Sequence, residues 1–230
     1  MDFDPFDKRG YPVVSAEAGY GEWAATYEDT VAAGLDRALL PLLTTVDWAT
    51  VGAAADLACG TGRTGAWLAG RGVGAIDGVD VTPQMLAQAE ARSLYRSLRR
   101  ADVADTGLAA AAYGLAIMAL ADEHIAALAP VYREAARVLA PGGRFVLIGY
   151  HPFFLMNGMP THYHRAGGEA VTIRSYVHLF SEHYRAGIEA GLSLAEFREC
   201  VIDEAWLKTK PKWRAHLGWP VSFAMVWRKG

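Results

Sequence analysis

Apolar and polar positions along the chain fall into two regimes. From Val51 to about Tyr150, short apolar runs alternate with helix-compatible stretches, and glycine, aspartate or proline marks each junction. Ala53 to Leu57 reads as a strand, followed by three glycines and the helix-compatible Ala66-Trp67-Leu68-Ala69. A second run ends at Gly78-Val79-Asp80; Thr82 then suits an N-cap and Pro83 the first helical position. Leu115 to Leu120 reads as a further strand, and Pro141-Gly142-Gly143 turns the chain into another at Phe145. Five such βα-type units predict an α/β fold with a mostly parallel sheet. The flanks are patterned differently. Tyr20, Trp23 and Tyr27 stand at i, i+3 and i+7, one face of a helix. His151 to about His178 reads as irregular, and Ser181 to Gly191 as a helix ending at a glycine cap. Leu192 to Ile202 and Val221 to Arg228 read as the last two strands, an antiparallel pair around a Trp206 to Trp219 excursion.

The densest chemistry lies at the first of these turns. Gly60, Gly62 and Gly65 have G-x-G-x-x-G spacing, as expected where a strand enters a helix whose first amides face a nucleotide. Asp80, ending the next run, is placed to accept both hydroxyls of a ribose. The glycine spacing alone would suggest a dinucleotide, but two features oppose that reading. About fifty residues precede the loop, whereas a dinucleotide fingerprint usually opens its domain. Asp56 stands four residues before Gly60, where its carboxylate would repel a pyrophosphate and attract an ammonium.

Asp56-Leu57-Ala58-Cys59-Gly60-Thr61-Gly62 resembles motif I of class I S-adenosylmethionine (SAM)-dependent methyltransferases, with Ala58 where that family commonly has glycine. Val79 to Leu86, Arg100-Ala101-Asp102-Val103 and the Pro-Gly-Gly turn after Arg137-Val138-Leu139 resemble later motifs of the family, in the same order. The resemblance implies a Rossmann-like seven-stranded, mostly parallel sheet with the last strand antiparallel and helices on both faces. Residues 1–48 would form an N-terminal helical lid and 49–150 the SAM-binding core. An insertion after the fifth strand, 151–180, would cover the substrate, and 181–230 would supply the C-terminal helix and strand pair of a single domain. Cofactor contacts are expected from Asp56, Ala58, Gly60 and Gly62, from Asp80, Val81, Asp102 and Val103, and from Leu120. The helix with the Y-x-x-W-A-x-x-Y pattern would add Tyr20 and Tyr27. Tyr11, Trp23, Phe153, Phe154, Met159 and Tyr163 are the expected acceptor contacts, with Arg9 beside Tyr11 at the lid.

Methyl transfer from a sulfonium needs a positioned nucleophile, and some acceptors also need a base. Asp122, Glu123 and His124 follow the fourth core strand, and His151 follows the fifth; these four are the candidate catalytic groups. The expected reaction is methylation of a small, aromatic or other metabolite at oxygen, nitrogen or carbon, as in bacterial natural-product tailoring. A nicotinamide oxidoreductase and a non-catalytic SAM-binding protein are the alternatives.

Composition narrows the partners. The net charge of −3 offers no general attraction to nucleic acid, and the short basic runs at Arg96–Arg100 and Lys208–Arg214 read as solvated faces. Cys59 and Cys200 are too few for a disulfide framework, which suits a reducing cytoplasm. The acidic start lacks the marks of a secretion signal, and no uncharged run is long enough to span a membrane. His162, His164, His178 and His183 lack regular ligand spacing, so no metal is expected. Monomer and homodimer both remain open.

Overall fold

The computed structural model describes residues 1–31 and 34–230. Its strands are β1 (Val13–Val14), β2 (Ala53–Leu57), β3 (Ala75–Asp80), β4 (Ser97–Arg100), β5 (Tyr113–Ala119), β6 (Leu139–Tyr150), β7 (His162–His164), β8 (Ala170–Ile173), β9 (Leu192–Val201) and β10 (Pro220–Lys229). Seven form one sheet in the order β4-β3-β2-β5-β6-β10-β9. Strands β2 to β6 pair in parallel, and β10 runs antiparallel between β6 and β9. The α-helices are α1 (Ala16–Trp23), α2 (Tyr27–Thr30), α3 (Gly34–Arg37), α4 (Arg63–Ala69), α5 (Pro83–Ala91), α6 (Leu128–Val138), α7 (Pro152–Met156), α8 (Phe180–Glu189) and α9 (Glu204–Thr209).

Strand alternation divides the core into two layers. Ala55, Leu57, Ala116, Met118, Phe145, Leu147, Phe223 and Trp227 face α6 and α8. Their neighbours Ala54, Leu115, Ile117, Val146, Ile148 and Ala224 face α4 and the Leu39–Val46 segment. Both faces are thus covered, as near-continuous apolar runs in central parallel strands require. Helix α6 shows the same logic at a 3.6-residue period, burying Leu128, Val131, Tyr132, Ala135 and Val138 along one side.

Three features depart from the sequence reading. No helix joins β4 to β5; turns and a single Asp102–Asp105 bridge span that connection, so there are fewer βα units than expected. The aromatic helix is broken. It ends at Trp23, passes through a 3-10 turn over Ala24–Thr26 and resumes as α2. The segment after the fifth sheet strand is not irregular: it contains α7 and the β7–β8 hairpin, and β8 pairs in parallel with β1. This second, three-stranded sheet ties the N-terminal segment to the insertion. Met1 adds to the tie by donating its amino group to the Val177 carbonyl at 2.9 Å.

Candidate active site

The carboxyl ends of β2, β3 and β5 open onto a cleft of about 480 Å³, at the point where the strand order reverses between β2 and β5. Ligands of open α/β sheets bind at such switch points. One wall is the turn after β2, where Ala58, Cys59, Gly60 and Thr61 line the cleft, with Arg63 and Thr64 from the first turn of α4. Gly60 has φ +54 and open space where a Cβ would stand, so its backbone can approach a ligand closely. Ala58 also takes a left-handed backbone, φ +53, which is why the family commonly has glycine there; the added methyl costs local strain.

The other glycines do something different. A Cβ on Gly65 or Gly78 would run into the Tyr95 ring, and one on Gly62 would crowd it at 3.0 Å. Tyr95 fills the space beneath the turn and donates its hydroxyl to Asp56 at 2.7 Å. Asp56 is therefore under the floor of the cleft and does not line it, contrary to expectation. Burial pushes its carboxyl up to about 7, with the Tyr95 hydrogen bond opposing. Gly62 likewise turns from the cleft to begin α4.

Asp80 does line the cleft, and its orientation is fixed. The Gly60 N–H donates to Oδ2 and the Thr82 N–H to Oδ1, each at 2.8 Å. Burial raises its carboxyl above the ordinary range against the pull of these amides. Val81, Asp102, Val103 and Leu120 complete the expected set around it. Leu120, with φ +56 at the tip of β5, is a second left-handed residue other than glycine at the cleft.

The N-terminal segment forms the roof. Ala16, Glu17, Tyr20, Tyr27 and Asp36 face the cleft, and polar contacts fasten the segment to the opposite wall. Glu17 pairs with Arg100 at 2.7 Å, Arg92 with Glu28 at 3.0 Å, and Thr61 with Glu28. Asp36 and Arg63, both buried, meet through one contact of 3.5 Å. No other described group accepts from the Arg63 guanidinium, and Arg63 lines the cleft. Arg63 and Asp36 were missed in the sequence. The former sat unmarked beside the glycines, and the latter is brought in only by tertiary packing.

Of the four candidate catalytic groups, the structure brings only His124 to the cleft. Its Nδ1–H donates to the Arg174 carbonyl at 2.8 Å, leaving Nε2 to accept from the Tyr20 hydroxyl at 3.0 Å. The Glu123 carboxylate lies 3.6 Å from that same Nε2, buried, and accepts from Thr161 at 3.3 Å. Burial pushes Glu123 up to about 7, with His124 opposing. Asp122 points the other way, against Gly149 and 3.5 Å from His183, and burial takes its carboxyl up to about 6. His151 caps α7: its Nδ1 accepts from the Phe153 N–H at 3.1 Å and its Nε2–H donates to Glu199 at 2.8 Å.

The expected acceptor contacts do not reach the cleft either. Trp23 is stacked between Tyr20 and Tyr163, and its Nε1–H donates to Thr30 at 2.7 Å. Tyr163 is buried on Trp23 and donates to Glu22. Phe154 is core, Phe153 is at the surface, and Met159 packs among the C-terminal tryptophans. Tyr11 lies 5.9 Å from the His162 ring. Helix α1 and the insertion pack these rings on one another because the β1–β8 pairing draws the two segments together.

The family model of a methyltransferase domain matches residues 55–147, from β2 into β6. Similar folds include a SAM-dependent methyltransferase from Mesorhizobium loti (22% identity over 86% of this chain and 99% of that one, TM-score 0.71). Others are a putative SAM-dependent methyltransferase from Listeria monocytogenes (17% identity, 91% and 98% covered, TM-score 0.65) and the cyclase SpnF (17% identity, 96% and 99% covered, TM-score 0.63). No curated protein sequence matches the chain. Residues 55–147 thus match a methyltransferase domain, and the chain shares its fold with SAM-dependent methyltransferases.

Proposed function

We propose that the protein transfers the methyl group of SAM to a small-molecule acceptor from which a proton must be removed. One observation carries the choice of cofactor. The cleft is lined by four carboxyl side chains, Glu17, Asp36, Asp80 and Asp102, against a single arginine, Arg63. A lining of that sign favours a ligand bearing a sulfonium and an ammonium and opposes a pyrophosphate. When bound, SAM supplies an electrophilic methyl group. Asp80 would hold the ribose hydroxyls, and Gly60 the backbone beside them. Asp36 and Arg63, loosely joined to each other, would take the ammonium and the carboxylate of the amino-acid end. This moves to Asp36 the task that the sequence gave to Asp56.

Tyr20 and His124 form the proton path. An acceptor hydroxyl or amine at Tyr20 Oη would give its proton to that oxygen as the Tyr20 proton passes to His124 Nε2. Glu123 then lies 3.6 Å from the imidazolium so formed. Burial holds the Tyr20 phenol well above its ordinary value, so it relays a proton and does not stay ionised. Asp122 and His151 have no place in this path. The fold alone does not dictate methyl transfer, since SpnF shares it and is a cyclase. The test is incubation with SAM and a phenol and amine library, read as the mass gain of one CH2 group. A product formed by the native protein and reduced about 10²-fold in Tyr20→Phe supports the reading. SAM binding with no transfer to any acceptor would favour a binding protein.

A further inference from the structure

The short basic run between α9 and β10 is not accounted for by the cleft. From Ala205 to the C-terminal Gly230 the chain carries no acidic side chain, although its net charge is −3. Lys208, Lys212 and Arg214 are exposed and Lys210 is half-buried, and only Arg214 has a carboxylate partner among the described residues, the exposed Glu204 at 3.3 Å. The excursion packs on the insertion through Phe154–Trp213 and Phe153–Trp219, with ring centroids 5.4 Å apart in both pairs. It thereby gathers more positive charge. Arg9 lies on the His162 ring, with Nη1 2.9 and 3.1 Å from its nitrogens, and no described carboxylate pairs with that guanidinium. Burial above all, with smaller contributions from Arg9, His164 and Lys212, holds the His162 ring below its usual pKa. Large apolar groups stand among these cations, with Phe153 39% and Leu217 46% exposed.

We propose that this face docks on an anionic lipid surface. Two properties select that partner together. Uncompensated lysines from one segment, joined by Arg9 from another, call for a negative surface. Exposed leucine and phenylalanine tips beside half-buried tryptophans call for a partner that is apolar just beneath its charge. A nucleic acid would satisfy the first property and not the second. Its bases need open ring faces, whereas Trp213 is stacked on Trp206 at 5.7 Å and flanked by Phe154. No helix among the described residues is long and apolar enough to cross a membrane, so the contact is peripheral. The inference is independent of methyl transfer.

The test is co-sedimentation of the full chain with vesicles of phosphatidylcholine alone or mixed with phosphatidylglycerol, at low and high salt. Binding is expected only to the mixed vesicles and should fall as salt rises. Lys208→Glu and Lys212→Glu should each lower the partition coefficient about fivefold or more. Leu217→Ser should weaken binding and reduce the blue shift of tryptophan fluorescence. Unchanged circular dichroism and S-adenosylhomocysteine affinity would show that these variants are folded. No binding to mixed vesicles, equal binding to neutral ones, or full binding by the lysine variants would overturn the proposal. So would capture of an RNA oligonucleotide in place of vesicles.

Discussion

The two walls of the cleft are built on different principles. The wall after β2 and β3 is made by backbone: positive-φ turns, amides aimed at Asp80, and glycines that admit Tyr95 beneath. The roof is made by side chains from segments distant in sequence. Polar contacts such as Glu17–Arg100 and Arg92–Glu28 hold it in place, and these pairs are exposed or only half-buried. Exposed pairs contribute little each. The first wall is therefore rigid and local, whereas the roof depends on tertiary placement. Substitutions in the two should fail differently.

The largest effect is expected beneath the rigid wall. Gly65→Val should destabilise by about 3 kcal/mol or more, because Tyr95 and the α4 backbone cannot both yield. Gly65→Ala in a Tyr95→Ala background should cost much less than in the native chain, and thermal unfolding of the four proteins measures the coupling. Where the roof meets the turn after β5, Tyr20→Phe and His124→Ala should each lower turnover about 10²-fold while leaving S-adenosylhomocysteine affinity nearly unchanged. Asp122→Asn and His151→Ala should leave turnover close to native. A reversed pattern would remove the Tyr20–His124 path.

Smaller effects divide the cofactor contacts. Asp80→Asn should weaken S-adenosylhomocysteine binding by about 1–3 kcal/mol. Arg63→Met and Asp36→Asn should weaken it as well, yet leave methylthioadenosine, which lacks the amino-acid end, bound as in the native protein. Equal losses for both ligands would mean that the pair only props the roof. Asp56 gives a pH signature. Its folded pKa of about 7 lies above the ordinary 3.8, so the folded chain keeps a proton that the unfolded chain releases. Its favourable contribution is intact below the lower value and lost as pH rises through the higher. Asp56→Asn should therefore raise the unfolding free energy at pH 8 by an amount on the order of 2 kcal/mol, read as a higher Tm, and change it little at acid pH. Smallest of all, Ala58→Gly should relieve up to about 1 kcal/mol of backbone strain.

Legibility in the sequence followed the same division. Strand and glycine spacing located the sheet, the β10 reversal, Gly60 and Asp80, because each of these is decided within a few residues. Asp56 misled for a physical reason. It shares a strand face with Ala54, and that face belongs to the layer under α4 and the Leu39–Val46 segment, where Tyr95 takes it. The run Asp122-Glu123-His124 looked like one cluster, but a 3-10 turn sends consecutive side chains in different directions, and only His124 meets the cleft. Pairing of β1 with β8 had no local signal, since two residues suffice for β1. Without it the aromatic residues of α1 and the insertion read as acceptor contacts instead of as one packed cluster.

The central claim is that an acid-lined cleft selects a cationic adenosyl cofactor. Isothermal titration of the native protein with SAM and, in parallel, with NADH tests it most directly. Micromolar binding of SAM with no heat from NADH is the predicted result. Binding of NADH without SAM would contradict the reading of Glu17, Asp36, Asp80 and Asp102 as a site for positive charge.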